Sequence, residues 1–73
     1  MSMTRAEQAS LVVADLADEV RTVLAAAEDA ERMLTGGRVE AAITRLEQAQ
    51  AVCQFIDGKY GRALEACRTA AEP

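Results

Sequence analysis

Apolar residues recur at alternating steps of three and four along two stretches of this chain. The first runs through Val13, Leu16, Val20, Val23, Ala27, Ala30 and Leu34. The second runs through Val39, Ala42, Leu46, Ala49, Cys53, Ile56, Tyr60, Ala63, Cys67 and Ala70. Steps of that size keep side chains on one side of an α-helix, so each stretch predicts a helix with one face to bury. Gly36-Gly37 separates the two stretches and supplies the turn. The expected object is an all-α, coiled-coil-like antiparallel hairpin with helix one over about 5–35, the turn at 36–37 and helix two over about 38–72, all within one helical domain spanning 1–73.

Local signals agree with these bounds. Thr4-Arg5-Ala6-Glu7 fits the capping box, in which Thr4 and Glu7 each bond a free backbone amide of the other. Gly36 is expected to take the left-handed conformation that ends a helix, and Gly37 to open the next one. Glu40 falls where its charge suits the positive end of helix two. Asp57-Gly58-Lys59-Tyr60-Gly61 carries a turn signal, and each helical glycine costs about 1 kcal/mol relative to alanine. A break there would make a three-helix bundle, with helices over 38–57 and 59–72. The 3-4 phase passes from Ile56 to Tyr60 to Ala63 without a slip, and helix one is long enough to pair with an unbroken helix two. One continuous second helix is therefore the reading adopted.

A chain of 73 residues lies near the lower limit for a self-sufficient core, where small folds draw on disulfides, a metal or oligomerisation. Histidine is absent and only Cys53 and Cys67 could ligate through sulfur, short of the four ligands of a structural zinc site. Two heptads apart on one helix, those cysteines are separated by about 21 Å, too far to bridge within a chain. They are expected to be small buried hydrophobes in a reducing compartment, with a redox-linked bond between subunits as the alternative. The acid clusters Asp15, Asp18, Glu19 and Glu28, Asp29, Glu31 lack the Glu-x-x-His pairs of a di-metal bundle, and only Glu31 is expected near the apolar stripe. No metal or cofactor is expected.

Nucleophilic catalysis needs a base beside the nucleophile, most often histidine. The serines are Ser2 and Ser10, near an end expected to fray, and no glycine-rich phosphate loop is present. The chain is read as non-enzymatic. Its net charge is −4, and the whole excess lies in residues 1–35; residues 36–73 balance. That distribution argues against a nucleic-acid footprint. No segment reaches the roughly 20 apolar residues of a membrane span, and the N-terminus lacks the basic patch and apolar run of a signal peptide. A cytoplasmic location is expected, without membrane partners.

Two resemblances accompany this reading. Gly37-Arg38-Val39-Glu40-Ala41-Ala42-Ile43-Thr44-Arg45-Leu46-Glu47-Gln48-Ala49 resembles the second helix of a tetratricopeptide repeat at its glycine and at Ala42, Leu46 and Ala49. A fainter echo at Gly58, Ala63, Cys67 and Ala70 is out of step with that family's 34-residue period, and helix one lacks its Trp/Leu-Gly/Tyr pattern. The resemblance implies shared packing geometry and no function. Arg45, Lys59 and Arg62 fall on one flank of helix two. A four-helix dimer with such a flank resembles the plasmid copy-number regulator Rop, which implies RNA binding. The same bases could instead pair with acids on a neighbouring helix.

Apolar residues left over point to partners. Val12 and Leu24 widen the first stripe, and Ile43, Val52 and Leu64 widen the second. Two helices cannot cover stripes so broad, whereas two hairpins joined in a four-helix bundle would. Leu11 and Phe55 project about 160° and 180° from their stripes at 100° per residue, on outward faces. Phe55, Val52 and Leu11 are therefore candidate contacts for a partner protein, with Arg45, Lys59 and Arg62 as candidate polar contacts. The expectation is a homodimeric interaction module that regulates, inhibits or chaperones another protein, a plan shared by small bacterial and phage regulators. A nucleic-acid-binding dimer or a structural subunit of a larger assembly is the alternative.

Overall fold

A computed structural model describes residues 3–73. Met1 and Ser2, which entered the reading of the N-terminus and of the serines, lie outside the described residues. The chain folds into two helices, α1 (Arg5–Thr35) and α2 (Val39–Ala71), packed side by side as a hairpin measuring 55 × 19 × 17 Å. α1 begins at the expected capping box. The Thr4 hydroxyl accepts from the Glu7 amide at 3.1 Å, and the Thr4 amide donates to Glu7 Oε1 at 3.3 Å.

The turn differs from expectation in one detail. Gly36 caps α1 with φ −84°; its amide donates to the Arg32 carbonyl and the Gly37 amide to the Leu34 carbonyl, both at 3.0 Å. The left-handed residue is Gly37, with φ 77°. Gly37 reverses the chain, and the Arg38 amide then bonds the Met33 carbonyl at 2.7 Å. One reversed residue suffices because the helix satisfies its last carbonyls with these returning amides. Arg38 precedes α2 without a side-chain cap bond, and Glu40 lies in its first turn.

α2 runs unbroken through Gly58 and Gly61, which removes the three-helix alternative. A β-carbon at Gly61 would meet open space, and one at Gly58 would meet only the Arg62 guanidinium at 3.6 Å. Neither glycine is required by the backbone. Helix continuity survives both because packing against α1 along its length outweighs the local propensity cost.

The seam between the helices is built mainly from small side chains. Among the described residues the buried ones are all alanines: Ala9, Ala26, Ala30, Ala42, Ala49 and Ala63. Half-buried Val12, Leu16, Val23 and Met33 of α1 join them, as do Val52, Ile56, Ala66 and Ala70 of α2. On each helix these positions advance by alternating threes and fours with a repeat of seven, the seam spacing of a coiled coil. Alanine at so many of them lets the two helices approach closely and shields each other's backbone.

Candidate functional site

Only half of each predicted stripe enters this seam. Leu16, Val23 and Ala30 pack inward, as do Ala42, Ala49, Ile56, Ala63 and Ala70. Their alternates Val13, Val20 and Leu34 on α1, with Val39, Leu46, Cys53, Tyr60 and Cys67 on α2, are exposed. Each alternate set repeats every seven residues. In an antiparallel pair these two lines, displaced in the same sense from the seam, come out on the same side of the hairpin. Leu24, Ile43 and Leu64, also exposed, lie one step further round and widen that side. The result is a continuous apolar face along the hairpin, which neither helix covers for the other.

The stripe was expected to be buried within the hairpin, with Leu46 at its centre and the cysteines inside. Leu46 is instead 45% exposed, and both cysteines are exposed and free. The seven-residue spacing of each half explains the split. The seam is as wide as the predicted stripe, two seven-residue lines per helix, but it is centred one line away: it adds Val12, Ala26 and Met33 on α1 and Val52 and Ala66 on α2, and leaves the outer line of the stripe uncovered.

The opposite side of the hairpin is polar and pinned by charge. Asp15 Oδ2 and Glu19 Oε1 lie 3.0 and 3.5 Å from Lys59 Nζ, and Arg45 Nε donates to Asp29 Oδ2 at 3.3 Å. The Arg5 guanidinium reaches the Thr69 carbonyl at 3.5 Å. In the Arg5–Thr69, Asp15–Lys59 and Asp29–Arg45 contacts the two residue numbers add to 74, which fixes the residues that lie level across the hairpin. Lys59 is held above its usual lysine range, first by its hydrogen bond to Asp15 and then by the negative charge of Asp15 and Glu19, against a downward push from burial. Glu19, not expected near the apolar stripe, is half-buried at the seam, while Glu31, the acid expected near the stripe, is exposed. Within α1, Asp18 pairs with Arg21 and Asp29 with Arg32.

The six residues singled out from sequence fall into two groups. Val52 is half-buried in the seam, and Arg45 and Lys59 are the cross-hairpin ion-pair partners just described, with the Lys59 side chain 19% exposed. Leu11 and Phe55 are exposed on the polar side as their angles implied, Phe55 by 60%. Arg62 is exposed on that same side. The residues that sequence reasoning did not rank as a surface are those of the apolar face. Their signal was present in the seven-residue spacing within each stripe.

Among the described residues there is no cavity, no group of three or more His, Cys, Asp or Glu side chains able to hold a metal, and no helix long and apolar enough to cross a membrane. Compared with protein-family models, with curated proteins and with solved structures, the chain matches none.

Proposed function

We propose that this chain is a small, non-enzymatic interaction module. It self-associates through its apolar face into a four-helix bundle and presents its polar face, with Phe55 and Leu11, to a partner protein. One observation carries the reading: nine of the exposed large apolar residues, from Val13 to Leu64, gather on one side of a hairpin whose buried residues, among those described, are all alanines. An apolar face of this length on a protein with so little core marks an association surface. The outward Phe55 suits a second contact, because aromatic side chains are enriched at interfaces relative to the rest of the surface. Function would follow from occupancy, with a rigid helical surface covering or holding its target. The nucleic-acid alternative loses support, since two of the three flank bases, Arg45 and Lys59, are engaged by acids of α1.

The test is retention of host-lysate proteins on the immobilised chain, comparing wild type with Phe55→Asp. A protein held by the wild type and lost with the variant supports the module. Nucleic acid held at low salt and released at high salt overturns it in favour of the alternative.

A further inference from the structure

Resting on that reading, we propose that a second copy covers the apolar face with the hairpins running in opposite directions, turns at opposite ends. The two-fold axis is placed level with residues 20–21 of α1 and 53–54 of α2. A second copy is the occupant the face fits. Its outline of 55 × 19 Å gives about 1,000 Å² per copy, or about 2,000 Å² in a pair, the area of a stable protein interface. A face used against itself must also be self-complementary about a two-fold, and the order of residues along its margins decides which two-fold.

Two axes stack hairpins face to face. With the turns together, α1 of one copy lies over α2 of the other, and the level rule set by the ion pairs dictates the neighbours. Leu24 then meets Gln50 of the second copy, Ile43 meets Glu31, Asp57 meets Ala17, and Leu64 meets Ser10. In each of these four pairs an apolar residue faces a polar one. With the turns apart, α1 lies over α1 and α2 over α2. Leu24 now meets Ala17, Ile43 meets Leu64, Ser10 meets Glu31, and Gln50 meets Asp57. These four pairs sort like with like, so at these positions no carboxylate is pressed against an apolar side chain and no leucine is stranded beside an amide. The required axis also lies near the midpoints of Arg5–Thr35 and Val39–Ala71, so the hairpins overlap along nearly their whole length. Val20 and Cys53 come to the centre, each beside its own equivalent.

The test is the distance between turns in the full-length pair. A chain with Cys53→Ala, Cys67→Ala and Arg38→Cys carries one nitroxide beside the turn, at an exposed residue with no capping bond to lose. Electron–electron dipolar spectroscopy should give about 45 Å, since roughly 15 residues of helix at 1.5 Å each separate the label from the axis on either side. A distance near 20 Å or less would overturn the orientation while leaving self-association standing. Absence of dipolar coupling, together with a monomer mass by sedimentation on the same sample, would overturn the second copy as occupant and the self-associating module with it.

Discussion

At the scale of single residues, Lys59 and the glycines make the sharpest tests. Lys59 is the chain's one lysine, and it joins α2 to Asp15 and Glu19 of α1. Its pKa is raised in the folded chain above 10.5, chiefly by the hydrogen bond to Asp15. A raised folded value means that the charged form stabilises the hairpin fully below the unfolded lysine range and loses that effect as pH climbs through the folded value. Melting temperature should therefore fall on the alkaline side, and Lys59→Met should flatten that part of the profile. Equal alkaline slopes for the two proteins would contradict the pairing. Gly61 faces open space within a continuous helix, so Gly61→Ala should stabilise the chain by about 1 kcal/mol in urea titrations. Gly37→Ala should destabilise it, because the reversal at φ 77° strains any residue with a β-carbon.

At the scale of elements, the helices, their capping box and the turn were all readable from residue order. Thr4 and Glu7, the phase through Ile56 and Tyr60, and the glycine pair each carry their structural cause locally. What was not readable was which half of each stripe would close. Adjacent seven-residue lines on one helix are only about 50° apart when the helix repeats every 3.5 residues, and both lines are apolar here. The choice is made by fit between helices. Alanine at Ala26, Ala42 and Ala49 lines the closed seam beside half-buried Leu16 and Ile56, while Leu46 and Tyr60 stay outside it. Glu19 and Lys59 enter its margin because they neutralise each other there. Ala26, 1% exposed, should resist enlargement, with Ala26→Leu destabilising the hairpin by about 1–3 kcal/mol through overpacking. A stable, fully helical Ala26→Leu protein in chemical denaturation would mean that the seam is loose. Phe55→Asp, by contrast, should move stability by no more than about 0.5 kcal/mol, as expected for an exposed side chain.

At the scale of the whole molecule, a two-sided object emerges from one-sided helices. Its closed seam is rich in alanine, its polar edge holds the ion pairs, and most of its exposed bulky apolar residues face one way, with Leu11 and Phe55 on the other side. Such a hairpin leaves a large apolar face exposed; on the proposed reading association and folding are linked, and its melting temperature should rise with protein concentration. The most direct measurement is sedimentation equilibrium of the wild type beside Leu46→Asp and Phe55→Asp. The expected result is a dimer mass for wild type and Phe55→Asp, and a monomer for Leu46→Asp, whose charge would sit within the apolar face. A monomeric wild type, still fully helical and melting at the same temperature at every concentration, would contradict the claim that this face exists to be covered by another copy.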